Sequence, residues 1–130
     1  KEDAKRFNII GLGYDPYESG YLANNIGKWS NEKIQLIEVP QHATHISPPM
    51  KELEALIENG QIVHDGDPVL TWMISNVIQK QARNKKYYPA RENPKNKIDG
   101  AMVLIMALLV WSLDREDTTS VYDDRGIVTL

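Results

Sequence analysis

Residues 7–13 (FNIIGLG) form a short apolar run that stops at glycine and passes almost at once into Asp15-Pro16. A run of this length bounded by turn residues reads as a buried strand. Asp15 then supplies an N-cap, Pro16 the first helical position and Glu18 the third residue after the cap. This is a capping-box arrangement with Asp in place of Ser or Thr, and it predicts a helix to about Trp29. A second apolar run, residues 34–39 (IQLIEV), closes at Pro40. Strand, helix and strand in that order make a parallel crossover unit, so the chain is expected to build an α/β sheet.

The remaining elements follow from the same local signals. Ser47 offers an N-cap before Pro48 and Pro49, and Met50, Leu53, Leu56 and Ile57 recur at helical spacing until Gly60. Asp67-Pro68 repeats the cap-then-proline signal ahead of a short helix ending near Ser75, with most apolar residues on one side. Residues 76–81 and 87–92, separated by a polar stretch without a two-residue turn, suit a loose hairpin. Residues 98–113 are apolar nearly all round, with Asp99 at the entrance, which implies a helix packed on most sides. The tail, 118–130, has no helical period and is expected to add a final strand.

The 130 residues, 42% hydrophobic and 25% charged, suit one modest domain. The longest uninterrupted apolar stretch, residues 101–111, falls well short of the roughly eighteen that a membrane span needs. Cysteine is absent, which excludes a disulfide framework, a cysteine-ligated metal and a thiol nucleophile. Chemistry must therefore come from oxygen and nitrogen groups. The first residue is Lys1, and no apolar signal core follows it, so the chain reads as a piece of something longer.

Charge is concentrated rather than abundant. Between Gln79 and Lys97 stand Lys80, Arg83, Lys85, Lys86, Arg91, Lys95 and Lys97 against Glu92 alone, giving +6 there and −9 over the remainder. A solvated loop is one reading. The other, which the charge slightly favours, is a basic hairpin that follows a nucleic-acid backbone, with Tyr87 and Tyr88 available for packing or stacking. Asp15 follows a strand directly, where open α/β sheets place ligand-binding groups, and Asp99 begins the most apolar helix. Two such carboxylates can hold Mg²⁺ or Mn²⁺ for phosphodiester hydrolysis. Both are equally explained as helix caps, as Asp67 is. His42 and His45, three apart with no third ligand nearby, read as polar loop residues rather than a zinc site. Neither GxGxxG nor GxxxxGK[ST] occurs, and Trp72, Trp111 and the methionines read as core.

GYDPY at residues 13–17, VPQ at 39–41, SPPMKELEALIENGQIVH, DPVLTWMISN, KIDGAMVLIMAL and the closing SVYDDRG, in that order and spacing, resemble the C-terminal nuclease domain of the large terminase subunit of tailed bacteriophages. The resemblance runs over nearly the whole chain, and the pair DPVLTWMISN with KIDGAMVLIMAL is its most specific part. It implies a ribonuclease H-like α/β fold, Mg²⁺ or Mn²⁺ held by acidic residues, and cutting of concatemeric double-stranded DNA during genome packaging. It also implies an N-terminal ATPase in the full protein, portal and small terminase subunits as partners, and the bacterial host cytoplasm as the place of action. Asp15 in GYDPY and Asp99 in KIDG match the family's metal-ligand positions, and residues 76–95 match its variable hairpin, positioned to touch DNA. The family also carries an acidic ligand on an earlier strand. Only Glu2 and Asp3 stand upstream here, and neither falls on a predicted strand. The chain is thus expected to lack the first strands of the fold, one ligand and the ATPase. An alternative follows: a DNA-binding or assembly fragment that cannot cut, with an exposed sheet edge seeking a second copy or an upstream fragment. A generic small-molecule α/β domain is the third reading.

Overall fold

The computed structural model describes residues 2–31 and 33–118. A single helical turn, α1 (Asp3–Arg6), leads into β1 (Gly11–Tyr14), so Glu2 and Asp3 lie off any strand. Helix α2 (Pro16–Ser30) crosses over to β2 (Gln35–Glu38), which pairs with β1 in parallel, Gly11 opposite Gln35 and Tyr14 opposite Glu38. Backbone hydrogen bonds extend the pairing at both ends, Gln35 N–H to the Ile10 carbonyl and Val39 N–H to the Tyr14 carbonyl. The expected crossover unit is present. Asp15 caps α2 with Pro16 at the first helical position, and Asn31 closes it in the left-handed conformation.

Helix α3 (Ala43–Glu58) starts well before the residue expected to cap it. Its N-cap is His42, and Pro48 and Pro49 lie inside the helix. A proline there removes an amide donor, leaving the Thr44 and His45 carbonyls without their usual intrahelical partners, and is tolerated only if packing compensates. Packing does so: Ile46, Ser47, Pro49, Met50 and Leu53 are all buried on one face. Ser47 faces inward, where its hydroxyl accepts the Tyr87 amide at 3.3 Å. The Ser-Pro-Pro sequence imitates a helix start, but tertiary burial carries the helix one turn further back.

Helix α4 (Pro68–Ser75) begins as expected, with Asp67 Oδ1 accepting the Leu70 amide at 2.7 Å. Its apolar residues do not share one side, however. Leu70 and Met73 approach Gly100, whereas Val69 and Trp72 remain about half exposed, and α4 buries no residue fully. Strands β3 (Ile78–Gln81) and β4 (Tyr87–Ala90) form the expected hairpin as a separate antiparallel sheet. Lys85 takes φ 60° in its turn, where the Ala82 amide donates to the Lys86 carbonyl and the Lys85 amide to the Ala82 carbonyl.

Helix α5 (Asp99–Thr118) packs against α3, α4 and β1, and together these elements enclose the core. Val39, Ile46, Met50, Leu53 and Ile105 form its centre. The expectation that α5 is covered on most sides fails: Ala101 and Ile105 are buried, but Val103 is 63% exposed. Its partners cover one side, and the other borders an open trough against residues 8–13. Trp72 and Trp111, expected in the core, both remain partly exposed. Thr118 ends α5, and the strand expected across the tail otherwise lies outside the described residues.

The contact between α5 and β1 is unusually close because β1 carries glycines. A Cβ on Gly13 would stand 2.8 Å from Val110 Cγ2 and 3.2 Å from Val39 Cγ2. Both neighbours are β-branched and stiff, so neither can turn aside cheaply.

Candidate functional site

The carboxyl ends of β1 and β2 present the groups of interest. Asp15 is half-buried at the first position beyond β1, and its Oδ1 accepts the Tyr17 amide at 3.0 Å. That is the carboxylate's one hydrogen bond among the described residues, which leaves Oδ2 available to a further partner. Tyr14, one residue earlier, donates its hydroxyl to Glu38 Oε1 at 3.1 Å across the paired strands. Partial burial, aided by that hydrogen bond and the Glu38 charge, pushes the Tyr14 phenol above its usual range, so it remains a donor.

Asp99 opens α5 and is exposed. Its relation to Asp15 follows from how α5 passes β1. Gly11 lies against Val110, while Gly13 lies against Val110 and the Met106 carbonyl, so the two elements run in opposite directions. Gln41, at the end of β2, fixes the same level by donating to the Val39 carbonyl at 3.0 Å and to Met106 Sδ at 3.5 Å. From that level the strand advances about 6.6 Å to Asp15 at roughly 3.3 Å per residue. The helix reaches back about 10.5 Å to Asp99 at about 1.5 Å per residue. Both residues therefore lie toward the same end of the α5–β1 contact. No group of three His, Asp or Glu side chains able to hold a metal ion is assembled among the described residues.

His42 and His45 are not loop residues. They cap and begin α3, their rings 6.4 Å apart, and with Pro16, Tyr17 and Pro40 they line a shallow depression beside Asp15. One residue from His45, Thr44 accepts the Asn84 side-chain amide at 3.2 Å. Together with the Ser47 contact, and with Lys51 Nζ 5.6 Å from the Tyr87 ring centre, this pins the hairpin along α3. The hairpin, whose connection is longer than a two-residue turn as expected, is thereby anchored. Thr44, Ser47 and Lys51 were invisible as anchors in the sequence, since each meets a residue 36 or more positions away.

All seven basic residues of the window are exposed. Lys80, Arg83, Lys85 and Lys86 belong to the hairpin and its turn. Arg91, Lys95 and Lys97 lie on the connection to α5, which Asn76 fastens by donating to the Lys97 carbonyl at 3.0 Å. The basic strip thus ends two residues before Asp99.

A family model described as the terminase large subunit, endonuclease domain, matches residues 3–116. The chain belongs to that family. Protein YmfN of Escherichia coli (strain K12) is 39% identical over 126 residues, a match covering 92% of this chain and 27% of YmfN. The crystal structure of the HK97 bacteriophage large terminase superposes on 83% of this chain with a TM-score of 0.72 at 20% identity, using 22% of that terminase. The chain therefore spans about a quarter of the length of these relatives. It is a terminase endonuclease domain of mixed α/β architecture.

Proposed function

We propose that this chain is the ribonuclease H-like, C-terminal nuclease portion of a tailed-phage large terminase, cutting concatemeric double-stranded DNA with Mg²⁺ or Mn²⁺. The reading is supported by the way α5 passes β1, which sends Asp15 and Asp99 toward the same end of their contact, and by the basic strip that runs from the hairpin to Lys97, two residues before Asp99. The donor set fits hard cations, which prefer carboxylate and water oxygens, and two carboxylates fill part of such a shell. Asp15 Oδ2 and the Asp99 carboxylate would hold the metal. When bound, it acidifies water and stabilises a departing 3′ oxygen.

The protein's own groups divide the remaining work. The Tyr17 amide fixes the Asp15 carboxylate, and the strip of Lys80, Arg83, Lys85, Lys86, Arg91, Lys95 and Lys97 neutralises phosphates without reading bases. Such contacts set the position of the duplex over the carboxylates rather than its sequence. In the longer protein an ATPase, a portal and a small terminase subunit would act beside this domain in the bacterial host cytoplasm.

A second reading, a DNA-binding or assembly fragment that cannot cut, is favoured by one observation: no third carboxylate or imidazole joins the pair among the described residues. A plasmid-nicking assay in Mn²⁺, run beside a mobility-shift assay, separates the two. The nuclease reading expects nicking that Asp15→Asn or Asp99→Asn abolishes while DNA binding persists. Binding without nicking in the unaltered chain would select the fragment reading.

A further inference from the structure

The site described above leaves one segment unused, the α3–α4 face on the acidic side of the molecule. Between α3 and α4, roofed by the loop of residues 60–67, lies an open cavity of about 410 Å³. Leu53 and Leu104 line its floor, and Ile57, Val63, Leu70 and Ile74 its walls. This is not a sealed piece of core. Ile57 is 50% exposed and Val63 96%, while neighbouring α4 is apolar yet buries no residue. A helix so apolar and so uncovered is a surface awaiting a partner.

Charge decides what kind of partner. No Lys or Arg occurs between Lys51 and Lys80, whereas Glu52, Glu54, Glu58, Asp65 and Asp67 all fall there. Glu54 and Glu58 flank Ile57 on the exposed side of α3, and Asp65 and Asp67 stand on the opposite lip, beside Val63 and at the start of α4. This rim repels a nucleic-acid backbone, which belongs instead to the basic strip. It attracts a polypeptide that presents apolar side chains between basic ones. A trough between two helices takes an amphipathic helix whose anchors recur every three to four residues.

We propose that the α3–α4 groove is a protein-docking site for an amphipathic helix with an apolar stripe flanked by Lys and Arg. The groove binds it independently of DNA and of any metal at the carboxylates, so one molecule can hold DNA on the hairpin side and a protein on this side.

The probe is a fluorescein-labelled 18-residue peptide of leucine and lysine, with leucine at helical spacing. Its controls are a scrambled peptide of the same composition and the corresponding leucine-glutamate peptide. Fluorescence anisotropy with the complete chain is expected to show saturable binding of the patterned basic peptide, at least tenfold tighter than either control. Val63→Ser with Ile57→Ser, both at exposed positions, should weaken it about tenfold. Glu54→Lys with Glu58→Lys should weaken it similarly and flatten its salt dependence. Excess duplex DNA should leave it bound. Equal binding of the scrambled peptide, unchanged affinity in both double variants, or displacement by DNA would each overturn the proposal. So would a concentration-dependent dimer of the chain abolished by the same substitutions, since the groove's occupant would then be a second copy.

Discussion

Gly13 shows how a single residue sets the position of the site. Its missing side chain lets α5 approach β1, and that approach sets the level at which Met106 meets the strand and, through it, the reach of α5 back to Asp99. Gly13→Ala inserts a methyl against Val110 and Val39, two side chains with little freedom, and should destabilise the fold by about 1–3 kcal/mol in a denaturant titration. A variant as stable as the original would mean that α5 sits further from β1. Asp15 was legible because its chemistry is local: strand, cap and proline stand in consecutive positions. The pairing of Asp99 with Asp15 was expected from the chemistry of a shared metal rather than from spacing, and the passage of α5 along β1 in the opposite sense sends both residues toward the same end. Ser47, by contrast with Asp15, was misplaced. Its neighbours Pro48 and Pro49 carry a local start signal, while its hydroxyl is committed to Tyr87, 40 residues away.

Among the elements, the hairpin carries much of the basic charge. The α3 contacts at Thr44, Ser47 and Lys51 hold its strands in place, so its lysines and arginines act from a fixed platform. If Lys80, Arg83 and Lys86 contact phosphates, replacing all three with glutamine should lower the slope of log affinity against log salt by about 2.7 on duplex DNA. An unchanged slope would remove the hairpin from the DNA surface. Elements with strong punctuation, α2 and α4, were readable to within a residue or two. The uneven coverage of α5 was not, since an all-round apolar sequence specifies burial without saying where the covering surface comes from.

At the scale of the whole molecule, β1 has one strand partner among the described residues, β2, and residues 8–13 border the trough beside α5. Phe7 and Ile10, just before β1, are 61% and 58% exposed. Strand pairing with a second copy, or with a separately retained upstream fragment, would cover both edge and trough, and a two-fold arrangement would close the assembly. Sedimentation over a wide concentration range should therefore show a dimer or a co-purifying polypeptide; a stable monomer throughout would contradict this.

The central claim is that Asp15 and Asp99 serve one metal centre, and paramagnetic broadening of amide NMR signals by Mn²⁺ tests it even if two carboxylates bind the ion weakly. The amides of Tyr17 and Gly100 should broaden together at the lowest Mn²⁺ additions, and Asp15→Asn should suppress the effect at both places. Broadening that starts at only one of them, or that survives at Gly100 in the Asp15→Asn variant, would show that the two carboxylates do not share a metal.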